Sequence, residues 1–108
     1  MQIGLIKDRL KAIEQTVDQV ARTCLLSPNA PDELRSAIGE LERESDEARR
    51  MVDVETAEDR VKACVDRLEE VGDRMMQVCN DARLVDPTLQ DAVARAHDMI
   101  SSLKHQLH

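Results

Sequence analysis

Apolar residues recur at alternating steps of three and four along four separate segments of this chain, and that spacing leaves few folds open. Ile3, Ile6, Leu10, Ile13, Val17, Val20 and Cys24 form the first stripe. Leu34, Ile38, Leu41, Ser45, Ala48 and Val52 form the second, with small residues through its middle. The third runs through Ala57, Val61, Cys64, Leu68, Val71, Met75, Val78 and Ala82. Leu89, Val93, Ala96, Ile100, Leu103 and Leu107 complete the fourth. Such steps place every member on one face of a helix, in the pattern of helices packed at a small crossing angle. Four of these helices joined by short links predict an all-α fold: an antiparallel, up-and-down four-helix bundle.

Composition agrees. The chain has 108 residues, the length of one domain, and the three glycines and three prolines are too few for a sheet protein. No Phe, Tyr or Trp is present, so the core is aliphatic, with three cysteines and five methionines contributing. The expected organisation is one helical-bundle domain over residues 1–108, with hairpin 1 at about 1–54 and hairpin 2 at about 55–108.

The boundaries have local causes. Pro28 and Pro31 end the first helix, and Asn29 is placed to cap the second, with Asp32 and Glu33 in its positive first turn. Between the second and third segments there is neither Gly nor Pro. Extending the second heptad would put Glu55, Asp59, Lys62 and Asp66 in the core, so the register breaks and a turn is expected near residues 53–56. Thr56 and Asp59 resemble a capping box there. If the joint instead straightened, the middle segments would form one helix of about 50 residues, some 75 Å long. The third helix is expected to end around residues 83–85, and Asp86-Pro87 is a favoured helix start.

A repeat is visible. DRLKAI at residues 8–13 returns as DRVKAC at 59–64, an offset of 51, while the second and fourth stripes superpose at an offset of 55. Two hairpins related by a pseudo-twofold axis would explain this, with the difference absorbed in a longer third helix. The other reading is the general likeness of any two heptad helices.

Net charge is −7, from 22 acidic and 15 basic side chains. Without a basic field or aromatic platforms, nucleic acid is not an expected partner, nor is an anionic membrane. The opening MQIGLIKDRLKAIEQ mixes charge with hydrophobe and does not read as a signal peptide. Three cysteines without a C-x-x-C fit a reducing compartment, so the cytoplasm is expected.

No residue set reads as catalytic, cofactor-binding or metal-binding. Cys24 and Cys64 are seam residues and Cys79 lies one position beyond the seam; all three are expected to fill space. A Cys24–Cys79 bridge is the redox alternative. His97, His105 and His108 share the last helix, but no carboxylate is evident beside them and no Glu-x-x-His occurs. Arg60, Arg67 and Arg74, each preceded by Asp, form a ribbon at heptad spacing, expected to be a salt-bridged flank. Gly4, Gly39 and Gly72 are expected to mark close helix approach.

The expected function is therefore non-enzymatic: a protein–protein interaction or self-association module, possible as a homodimer, using apolar residues off the seams such as Leu5, Leu26, Met51, Met76 and Met99. The alternative is a small metal or redox sensor using those histidines or cysteines.

Overall fold

The computed structural model describes residues 3–54, 57–82 and 85–107. It contains four helices, α1 (Ile3–Leu25), α2 (Asp32–Val54), α3 (Glu58–Asp81) and α4 (Pro87–Leu107). Each packs against its neighbour in sequence, and α1 packs against α4 to close the ring. With links this short, that order makes the bundle up-and-down and antiparallel. Its extents are 42 × 21 × 18 Å. Because α2 and α3 lie side by side, the chain reverses between them, and the long continuous middle helix does not form.

The predicted stripes are the core. From Ile6 to Cys24, from Leu34 to Val52 and from Leu89 to Leu107, every member described is buried. The third stripe departs from expectation at its far end. Cys79 is buried, whereas Val78 and Ala82 only flank the core and Ala57 is exposed. At 3.6 residues per turn, Cys79 lies five full turns beyond Val61 and returns to the same direction, while Val78 falls well to one side. Val65 and Gly72 are buried for the same reason.

The repeat also changes register. One offset of 55 relates most of the core of the first hairpin to that of the second, although buried Cys64 and Val71 fall on Arg9 and Thr16, which are only half-buried. Ile6, Leu10, Ile13, Val17, Val20 and Cys24 become Val61, Val65, Leu68, Gly72, Met75 and Cys79, all buried. Even the loop plugs correspond, Ala30 to Val85. The DRLKAI and DRVKAC match therefore lies one helical turn out of structural register, and no extra residues in α3 are needed.

Helix ends follow local chemistry. The second helix begins too late for Asn29 to cap it; instead the Pro31 carbonyl accepts the Arg35 N–H at 3.1 Å. The Arg35 side chain reaches back into the loop, donating from Nη2 to the Ser27 carbonyl at 3.0 Å and from Nε to the Ala30 carbonyl at 3.4 Å. Ala57, with no side-chain cap, precedes α3, so the expected capping box does not start that helix; Thr56 lies outside the described residues. The third helix stops at Asp81, before residues 83–85. At α4 the expectation holds, because Asp86 Oδ1 accepts the Thr88 N–H at 2.9 Å.

Gly72 is the one glycine at a close approach: a Cβ there would lie 3.5 Å from Ile100 Cδ1. Nothing crowds Gly4, and Gly39 meets only the tip of Arg43, at 3.8 Å. Among the described residues, no helix is long and apolar enough to cross a membrane.

Candidate functional site

Cys24, Cys64 and Cys79 are unbridged and buried. Burial pushes each thiol above its ordinary value, opposed at Cys24 by Arg35 and reinforced at Cys64 by Glu44 and Glu47. A thiol held neutral is a poor nucleophile and a poor metal ligand.

His97 corrects the sequence reading, which found no carboxylate near the histidines. Its Nε2 lies 2.7 Å from Asp73 Oδ1 on α3. The two are 24 residues apart, and only the antiparallel pairing of α3 with α4 brings them together. His105 is exposed, and His108 lies outside the described residues. Among the described residues, no group of three His, Cys, Asp or Glu side chains is placed to hold a metal ion.

The off-seam hydrophobes divide. Met51, Met76 and Met99 are half-buried against the core, whereas Leu5 and Leu26 are exposed, together with Leu25 and Val54, which the heptad reading did not single out.

The informative features are the four lateral seams, where adjacent helices meet at the surface. Between α1 and α2, Arg49 pairs with Glu14 at 2.5 Å and Lys7 with Asp53 at 3.5 Å. Two members of the arginine ribbon cross from α3 to α2, Arg74 to Glu40 at 2.7 Å and Arg67 to Glu44 at 3.4 Å, as a salt-bridged flank requires. Between α3 and α4, the His97–Asp73 contact is joined by Lys104, 2.8 Å from Glu69 and 3.8 Å from Asp66. The hydrogen bond to Glu69 is the main reason the Lys104 ammonium holds its proton more tightly than usual.

The fourth seam differs. Among the described residues no ion pair joins α1 to α4. Thr16 Oγ1 instead lies 3.2 Å from Met99 Sδ, a neutral contact. Beside it runs a groove of about 410 Å³ walled by Ala12, Ile13, Met99 and Ser102, with Asp8, Arg9 and Asp98 along it. Laying the second hairpin on the first at an offset of 55 shows the contrast. Ala12 occupies the position of Arg67, Met99 that of Glu44, Gln19 that of Arg74 and Arg95 that of Glu40. Residue for residue, the ionic ladder between α2 and α3 is replaced by small, apolar or uncharged groups, and one unmatched base.

The spacing of Ala12 and Met99 carries no signal in the primary sequence, because they are 87 residues apart and neither belongs to a stripe. Only the repeat in its structural register exposes the contrast. No family model, characterised protein or solved structure matches the chain.

Proposed function

We propose that this chain is a non-enzymatic helical interaction module that meets another protein through the side formed by α1 and α4. The observation that carries this reading is the seam without an ionic ladder, beside a groove with largely apolar walls. Ion pairs cross each of the other three seams. The seam between α1 and α4 leaves apolar surface at the groove, and a packed partner would remove that surface from water. Leu5, 48% exposed on α1, stands a full two turns from Ala12 on the same flank and extends the surface toward one end of the bundle. The cytoplasm, where thiols stay reduced, suits three unbridged cysteines.

The metal and redox alternative draws less support. Its thiols are buried and raised, and His97 is engaged by Asp73.

The decisive substitution copies the ladder onto this seam. Ala12→Arg with Met99→Glu places the Arg67 and Glu44 chemistry at the equivalent positions. Used as bait in cell extract, wild-type chain is expected to retain at least one protein, its own chain included, that the double variant releases. Identical retention by both baits contradicts the assignment of this surface.

A further inference from the structure

We infer that the occupant of the seam between α1 and α4 is a second copy of this chain, paired face to face about a twofold axis; this rests on the interaction reading above. The first observation is charge. Among the described residues, Asp8 and Arg9 on α1, and Asp91 and Arg95 on α4, have no ion-pair partner within the chain. They flank the groove or stand within about two turns of Met99 on the same side of α4. With Asp98, which also lines the groove, three acids and two bases make a mixed set that can pair with a copy of itself. In a twofold contact the same residues approach from both sides, so each copy offers bases to the acids of the other.

This matters because the molecule carries −7, and two copies repel wherever their acidic surfaces meet. The flank of α3 and α4 is such a surface, with Asp66, Glu69 and Asp73 gathered around one lysine and one histidine. A strongly basic partner would be drawn there more than to the mixed side.

The second observation is size. A side of a 42 × 21 × 18 Å body offers roughly 800 Å², which is about what each partner contributes to an interface of standard size. Pairing two such sides stacks α1 and α4 of one copy on those of the other, with Ala12 and Met99 at the centre, where small and flexible side chains permit close approach.

The test is a charge-swapped mixture read by sedimentation equilibrium. Wild-type chain is expected at twice its 12.2 kDa mass in the micromolar range. Arg9→Glu with Arg95→Glu leaves only acids on the face, and Asp8→Arg with Asp91→Arg and Asp98→Arg leaves only bases, so each variant alone is expected as a single chain. Mixed in equal amounts they are expected to form a one-to-one pair. Asp8, Asp91, Arg95 and Asp98 are exposed and Arg9 is half-buried, and matching thermal melts will show that each variant is folded. Ala12→Arg with Met99→Glu is expected to weaken wild-type pairing at least tenfold.

A single-chain mass for wild type across the micromolar range overturns the inference. So does a dimer that the ladder variant leaves intact, or a mixture that stays monomeric. If wild type is a single chain yet its capture of another protein from extract still depends on Ala12 and Met99, self-pairing fails while the interaction reading stands.

Discussion

At the scale of single residues, the repeat places different chemistry in the same setting. Asp73 faces His97 at 2.7 Å; 55 positions earlier the corresponding pair is Asp18 and Glu42, two acids. Burial first, then the charges of Asp18 and Asp46, hold the Glu42 carboxyl above its ordinary value, with Arg43 opposing. A carboxyl raised in this way binds its proton more tightly in the folded chain than in the unfolded one. Stability therefore falls as pH rises from the ordinary value of 4.5 through the raised one, and the deficit is complete at neutral pH. Glu42→Gln is accordingly expected to raise stability at pH 7, by up to about 1 kcal/mol, the scale of one surface charge pair. Thermal melts at pH 7 and pH 4 check the sign: the gain should shrink toward acid. A gain seen only at acid pH would contradict the assignment. None of this is visible from residue order, because Glu42 and Asp18 meet only after α1 and α2 fold back on each other.

At the scale of helices, the heptad stripes were legible wherever the chain kept one face toward the core. Every described member of the first, second and fourth stripes is buried. The third was misread near Cys79, because a strict 3.5-residue period drifts from the 3.6 of a straight helix over 18 residues. The joint before α3 was legible as a break in register, since continuing it would have buried Glu55 and Asp59. Its cap was not, because Ala57 precedes the helix with no side-chain bond that a motif could reveal.

Register also explains the small residues. In the first hairpin Val17 and Ser45 hold the positions that Gly72 and Ile100 hold in the second, so bulk has moved from one helix to its partner. Among the described residues, the hydroxyl of Ser45 finds no hydrogen-bond partner in its buried position. Gly72 has room for a methyl group, since a Cβ would meet Ile100 at ordinary contact distance, 3.5 Å. Gly72→Ala should therefore keep the packing and remove the helix penalty of glycine, a gain of about 1 kcal/mol. For a domain of this size that is about 4–8 °C in melting temperature. A lower melting temperature would contradict the room for a methyl group at this position.

At the scale of the whole molecule, the repeat made the architecture legible and hid the site. The stripes state how each helix turns toward the core, and four of them define the bundle. The seams are set by the flanking positions, whose pattern is plain on α3 as a ribbon of arginines and absent on α1, where Leu5, Ala12 and Gln19 stand instead. An absence of charge at three heptad-spaced positions is unremarkable in a helix until it is laid against its twin.

That twin relation sets the valence of the molecule. The seam between α2 and α3 lies opposite the seam between α1 and α4, so two equal hairpins would present the same sticky side twice, facing away from each other. Such a body is a monomer in the polymer chemist's sense, able to add a neighbour at both ends without closure. If the molecule pairs as proposed, Arg67–Glu44 and Arg74–Glu40 cap one of those ends. Removing the cap by Arg67→Ala with Glu44→Met, the residues of the opposite seam, is expected to turn a discrete pair into a ladder of larger species. Light scattering should then rise steeply with concentration, and a mass that stays fixed would show that the ionic rungs do not limit growth. On this reading, a pair of salt bridges near the middle of the chain is the chain terminator of a filament that two like hairpins would otherwise build.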